Sequence, residues 1–301
     1  MALAGKHCAV VGATGIIGSH IARAFANHGA VVSLLGRSAV ESRPRLEPLL
    51  APYLPPPLSA SPDAAESRAN ANSVVPREHR FIRLDVFQRE NIKDVFAGRD
   101  DSNAQTMVGP VDILVNCAGI SQTSFLKRTS ELELNDILHT NLMATMLVCK
   151  HAKLRPHGCI INISSLMATK GGAGATAYAA SKAGVVGFTR ALCRELGPRS
   201  IRVNALLPGW VASPMWDRES ASFLQGYPPM APDSTSSRRA NANVQHAVLD
   251  LKPELKAAFL KDTPLNRVGA PEEVAEAAVF LASNAFANNC VLNLDGGLSA
   301  A

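Results

Sequence analysis

The stretch HCAVVGATGIIGSHIARAFANHG, residues 7–29, decides the fold. An apolar run from His7 to Val11 gives way to Gly12, Gly15 and Gly18, and then to Ile21, Ala22 and Phe25 at helical spacing. Strand, glycine turn and amphipathic helix in that order open a βαβ unit. Glycines in such a turn let the chain reverse tightly and let its backbone approach a pyrophosphate, whose charge the helix N-terminus meets. A plain strand-to-helix turn is the competing reading, since a glycine fingerprint alone is weak.

The alternation continues outward from this unit. AVVSLLG, FIRLDV, VDILVNCAG, CIINISS, IRVNALLPG and VLNLDGG are continuous Val, Ile and Leu runs separated by helical patterns. Such runs belong to parallel strands buried on both faces. The expectation is one Rossmann-type, doubly wound α/β domain over residues 1–301, with seven parallel strands and right-handed crossovers. Two stretches break the rhythm. Residues 39–78 carry eight prolines between Pro44 and Pro76, so no continuous helix can fill the span between the second and third strands. Residues 217–250 are polar and rich in Pro and Ser. Both are expected to be surface insertions of low order.

Composition narrows the function. With 47% hydrophobic residues in 301, the chain can bury a sizeable core, which excludes disorder as its overall state. The net charge is +5, yet aromatic residues make up 5% and no basic run is interleaved with stacking rings, so a nucleic-acid partner is not expected. No run of 18 apolar residues exists, and no membrane span is expected. The six cysteines lie far apart without a CxxC pair and read as reduced, mostly buried small side chains, not as a disulfide framework or a metal site. Strand-like sequence begins within about six residues of Met1, which leaves no room for an ordinary signal peptide and makes the cytoplasm the default.

Further motifs fall at the ends of the strands. After the second strand stand Gly36, Arg37 and Ser38, where an acidic residue would bind the ribose hydroxyls of NAD; arginine beside a small residue suits the 2′-phosphate of NADP instead, or is a solvated loop charge. Asp85 closes the third strand, placed to accept from an adenine amine or to cap the helix beginning near Gln88. Asn116 to Gly119, NCAG, ends the fourth strand at the edge where open α/β sheets bind ligands.

The chemistry reads from YAASK, Tyr178 to Lys182. A phenol and an ammonium at i and i+4 share one helical face, and the ammonium favours phenolate, lowering a pKa that otherwise lies near 10. Ser165, ending the strand CIINISS, can hydrogen-bond a carbonyl oxygen and stabilise charge developing on it. Asn141, in HTNLM, could hold a water linking Lys182 to solvent. Singly, each has an ordinary alternative: a turn cap, a satisfied buried amide, a core aromatic. Together, in this order, they read as a catalytic set.

These residues carry a resemblance. GATGIIG, LDV, NCAG, Asn141, Ser165, YAASK, PGW at Pro208 to Trp210 and LDGG at Leu294 to Gly297 make the sequence similar to the short-chain dehydrogenase/reductase family, over nearly the whole chain except the two insertions. Within it, HTNLMATMLVCK, IRVNALLPGWV and TPLNRVGAPEEVAEAAVFLAS resemble the 3-oxoacyl-[acyl-carrier-protein] reductases.

The resemblance implies that NADPH reduces a 3-oxoacyl thioester with Tyr178 as proton donor, Ser165 holding the oxygen, Lys182 tuning Tyr178 and binding nicotinamide ribose, and Asn141 completing a water relay. It places NADP(H) against Gly12, Thr14, Gly15, Ile17, Gly18, Arg37, Ser38, Asp85, Val86, Asn116, Ala118, Gly119, Tyr178, Lys182, Pro208, Gly209, Val211 and Ser213. It also implies a substrate loop from about 215 to 260 and a homotetramer or dimer built through the helices bearing Asn141 and Tyr178. Its substrate is a small molecule or is bound to acyl carrier protein, an acidic partner for which Arg128, Arg190 and Arg194 near the entrance are candidate docking charges or ordinary surface arginines. Relatives in mitochondrial fatty-acid synthesis set the mitochondrial matrix beside the cytoplasm.

The chain departs from the family pattern at Ile16, where the middle glycine would fall, at Ser213 in place of threonine, and at Asn288 and Asn289 in place of a Thr-Gly pair. A reductase of the same class acting on a quinone, steroid, sugar or polyketide-type ketone, an NADP-binding sensor, and a scaffold using the Pro-rich insertions are the other readings.

Overall fold

The computed structural model describes residues 1–55, 75–98, 106–122, 124–212 and 260–300. Seven strands form one sheet: β1 (His7–Val11), β2 (Val31–Gly36), β3 (Arg80–Arg83), β4 (Val111–Asn116), β5 (Leu154–Ile163), β6 (Arg202–Pro208) and β7 (Val291–Leu294). Their order is β3-β2-β1-β4-β5-β6-β7 and every pairing is parallel, as the apolar runs predict. β1, β2 and most of β4 are buried on both faces, which is why these strands do not alternate polar with apolar.

Helices cover both sides. On one face α1 (Ile16–Asn27) and α8 (Pro271–Ser283) pack Ile21, Phe25, Val274 and Leu281 over Cys8, Val10, Ile113 and Val115. On the other, α3 (Arg89–Ala97), α5 (Ala144–His151) and α7 (Thr176–Leu196) bring Ile92, Phe96, Val148 and Cys193 over Ala9, Val11 and Leu114. Successive strand residues thus serve opposite cores. Between the third and fourth strand positions the chain reverses its winding direction, and the carboxyl ends of β1 and β4 lie side by side there, the crevice in which such sheets bind ligands.

The first insertion begins with the short helix α2 (Arg43–Leu46) and a 3₁₀ turn, Glu47–Leu49, each with proline at its start. The rest of it from 56 to 74, the whole 217–250 insertion, Ser213 and nearly all of the expected substrate loop lie outside the described residues. Among the described residues no helix is long and apolar enough to cross a membrane. All six cysteines are free thiols.

One helical run is not a plain α-helix. α4 (Glu131–Leu138) passes into α5 through a π-turn, His139–Met143. The wider turn carries Asn141, 1% exposed, toward α7. Before β7, Asn289 adopts φ 57 and Asn288 Oδ1 accepts the Val203 N–H at 2.9 Å. Asparagine tolerates the left-handed region, so this turn keeps a conformation glycine would adopt.

Candidate active site

The glycine turn meets β4 closely. Gly12 has φ +83, and a Cβ on it would lie 2.6 Å from Ala118 N; a Cβ on Gly18 would run into the Gly12 carbonyl. Gly15, the N-cap of α1, is solvent-exposed and no side chain caps that helix. Uncapped N–H groups beside bare backbone form a cradle that fits a pyrophosphate. Ile17 contributes differently from the glycines: its side chain packs on the core under α1. Thr14 lies against Gly36, where a Cβ would come within 3.2 Å of Thr14 Oγ1.

Arg37 follows β2 in the open, and among the described residues it makes no ion pair; Ser38 accepts the Ser42 N–H on its carbonyl at 2.9 Å. Asp85 is engaged locally: Oδ1 accepts the Phe87 N–H at 3.1 Å and Oδ2 accepts from Gln88 Nε2 at 3.2 Å, so it shapes the turn into α3. Val86, Asn116 and Ala118 come together with Val11 around a small cavity. Asn116 Nδ2 donates to Asn162 Oδ1 at 2.9 Å, tying β4 to β5, while its buried Oδ1 has no partner among the described residues. Pro208 ends β6, the Gly209 N–H donates to the Leu294 carbonyl at 2.8 Å, and Val211 bridges to Gly269.

Ser165, Tyr178, Lys182 and Asn141 converge at the carboxyl edge of β4 and β5. The Ser165 hydroxyl faces the Tyr178 phenol and accepts the Met167 N–H at 3.2 Å, at the first residue of α6 (Met167–Lys170). One hydroxyl thus holds the turn into α6 and stands beside the phenol. Lys182 is 4% exposed; its Nζ donates to the Ile163 carbonyl at 2.9 Å and stands 5.8 Å from the centre of the Tyr178 ring. Asn141 Oδ1 accepts the Ile120 N–H at 2.8 Å, and Nδ2 donates to the Ile120 carbonyl and Ser181 Oγ, each at 3.0 Å. Both amide hydrogens are spent, which leaves one oxygen lone pair for a solvent molecule.

The electrostatics correct one expectation. Burial pushes the Tyr178 phenol above its ordinary value, against the hydrogen bond from Ser165, which draws it down. The lowering expected from Lys182 does not prevail, because burial also depresses the ammonium, to about 8. Tyr178 is thus held as a neutral phenol at neutral pH.

Two neighbours escaped the sequence reading. Cys117, read only as part of NCAG and as one of six mostly buried thiols, interacts with both Tyr178 and Lys182 and is itself pushed up to about 11 by burial, so it is a neutral thiol. Gln122 hydrogen-bonds the start of α7. Of the three arginines, Arg190 and Arg194 are exposed on α7, about 18 and 24 Å along the helix axis from Tyr178 at 1.5 Å per residue. That separates them from the site; only Arg128, exposed beside the Thr129 that contacts Gln122, flanks it.

This combination of sheet and site agrees with sequence comparison. A family model described as short chain dehydrogenase matches residues 58–222, more than half of the chain, and the chain belongs to that family of oxidoreductases. It is 32% identical to the 3-oxoacyl-[acyl-carrier-protein] reductase FabG of Chlamydia muridarum, over 99% of this chain and 98% of that protein. It is 34% identical to the 3-oxoacyl-[acyl-carrier-protein] reductase of Mus musculus over 73% of this chain and 78% of that one. To carbonyl reductase family member 4 of Danio rerio it is 33% identical, covering 80% and 85%.

Proposed function

We propose that the protein reduces the ketone of a 3-oxoacyl thioester, carried by acyl carrier protein, to the 3-hydroxyacyl form, with NADPH. The observation that carries this reading is the meeting of Ser165, Tyr178 and Lys182 at the edge of the sheet beside the Gly12–Ala118 cradle. The names of the relatives support the substrate class.

Bound NADPH would supply the hydride to the carbonyl carbon. Gly12, Gly15 and the first turn of α1 would hold its pyrophosphate, and Arg37, exposed and without an ion pair among the described residues, would meet the 2′-phosphate. Ser165 offers its hydroxyl to the substrate oxygen, which fixes that oxygen beside the phenol. Tyr178, neutral through burial, gives its proton to the oxygen as negative charge develops there. Lys182, charged below about pH 8, offsets the phenolate left behind, and its unshared N–H groups can pass a proton on. Asn141 keeps residues 119–120 beside Lys182, where a Cβ on Gly119 would lie 3.3 Å from Nζ, and its free lone pair can order a relay water. The exposed apolar side chains Leu132, Leu138 and Met143 along α4 and the π-turn suit a homodimer or tetramer contact, and a compartment that houses fatty-acid synthesis, cytoplasm or mitochondrial matrix, suits the reaction.

Initial rates with acetoacetyl-acyl carrier protein, compared with quinone, steroid, sugar and polyketide-type ketones and with NADH in place of NADPH, test this reading. The thioester is expected to give the highest kcat/KM, at least tenfold better with NADPH. A free ketone turning over tenfold faster than the thioester would overturn the substrate assignment.

A further inference from the structure

The helix that carries Tyr178 begins without a cap of its own. Ala175, at its N-cap, has no side-chain acceptor, and GGAGA at 171–175 supplies none nearby. The N–H groups of its first turn are nevertheless engaged. Gln122 Oε1 lies 2.7 Å from Ala177 N and 3.3 Å from Tyr178 N, reaching across from the loop after β4. Gln122 is 8% exposed. Its Nε2 donates to the Ser124 carbonyl at 2.9 Å and is shared between Thr129 Oγ1 and Thr176 Oγ1, both at 3.2 Å. Backbone N–H groups can only donate, so the amide oxygen must face the helix.

The same loop holds the other side of Tyr178's backbone. Ser181 Oγ donates to the Tyr178 carbonyl at 2.7 Å, Asn141 Nδ2 donates to that Ser181 Oγ, and Asn141 is bonded in turn to Ile120. Residues 120–122 therefore reach both the N–H and the C=O of Tyr178, and they continue directly from Ala118, which packs on the Gly12 turn.

We infer that Gln122 is a positioning residue for Tyr178: a helix cap supplied in trans that fixes the phenol relative to Ser165 and to the cofactor cradle. This rests on the proposed role of Tyr178 as proton donor. Tyr178 is the third residue of α7, in the turn that frays first when its N–H groups lose their acceptor. Misplacement of a reacting group by about 1 Å costs on the order of 10²-fold in rate.

Two substitutions separate positioning from bulk. Gln122→Leu keeps the size and removes the acceptor. Gln122→Glu keeps an acceptor for both N–H groups and adds a carboxylate near Tyr178, which disfavours phenolate. The readouts are NADPH dissociation constant by fluorescence, kcat and KM for acetoacetyl thioester, and the pH profile of kcat for 3-hydroxyacyl oxidation, in which phenolate is the base. Gln122→Leu is expected to lower kcat by about 30–100-fold with NADPH affinity within about threefold of wild type, by the misplacement argument. Gln122→Glu is expected to recover most of that loss and to move the rising limb of the oxidative profile to higher pH. Gln122→Leu at wild-type kcat, or a Glu variant no better than Leu with an unmoved limb, overturns the inference. Should circular dichroism show Gln122→Leu unfolded, the Glu limb decides alone. Tyr178→Phe, run alongside, separates the two claims: if it still turns over, the proton-donor reading falls, whereas an inactive Tyr178→Phe beside an unaffected Gln122→Leu removes only Gln122's role.

Discussion

At the scale of single residues, the three glycines of the first turn are not equivalent. Gly12 combines φ +83 with a Cβ position 2.6 Å from Ala118 N, whereas a Cβ on Gly15 would make an ordinary 3.4 Å contact with the Gly12 carbonyl. Gly12→Ala is therefore expected to lower stability by about 1–3 kcal/mol and to abolish NADPH binding, while Gly15→Ala stays within about 0.5 kcal/mol of wild type, both measured by urea unfolding. Equal costs would show that the turn is held differently. Lys182 sets the second expectation. Its ammonium titrates near 8, so reductive kcat should fall as pH rises through that value and the charge facing the nascent phenolate is lost; a profile flat to pH 9.5 would contradict the role given to Lys182. The sequence carried the identities and order of Ser165, Tyr178 and Lys182, because spacing along a strand end and a helix face is local information. It could not carry the direction of Tyr178's shift, which depends on how far the folded chain shields the phenol from water. Gln122 was hidden for the same reason: its partners on α7 lie 54–56 residues away, and the only local hint was a helix start without a capping residue.

At the scale of elements, the strands were legible from continuous apolar runs, and the helices from 3.6-residue spacing. The π-turn at His139–Met143 was not, because one extra residue in a turn changes the face a side chain occupies without changing composition. The amino end of the sheet holds another device the runs conceal. His7, 1% exposed at the start of β1, has Nδ1 paired with the Pro110 carbonyl at 2.9 Å and Nε2 with Ser33 Oγ on β2 at 2.8 Å. Burial lowers its pKa to about 4. Unfolding exposes an imidazole near 6.5, so between those values the unfolded chain binds the extra proton and stability falls as pH falls. The loss over that window is up to about 3 kcal/mol, at 1.36 kcal/mol per pH unit. Comparing denaturant unfolding from pH 7.5 to 4.5 in wild type and His7→Leu should show a shallower acid slope in the variant; parallel slopes would mean His7 does not titrate this way.

At the scale of the molecule, the reversal of strand order beside β1 places the glycine turn, the NCAG segment and the start of α7 around one crevice, so residues from Gly12 to Lys182 lie together although they are far apart in sequence. The alternation of strand and helix made that topology readable, since parallel pairing and right-handed crossovers leave few alternatives. The distance of Arg190 and Arg194 from Tyr178 was not legible, because position along a 21-residue helix is not visible in a motif. The expected substrate loop could not be read further, because the sequence there offers prolines and polar residues in place of a periodic pattern. The account as a whole stands on Tyr178 as the proton donor of a reductase. NADPH oxidation in the presence of acetoacetyl thioester, followed at 340 nm for wild type and Tyr178→Phe at equal NADPH occupancy, tests it most directly, with loss of turnover of about 10²-fold or more in the variant predicted and rates within a few-fold of wild type contradicting it.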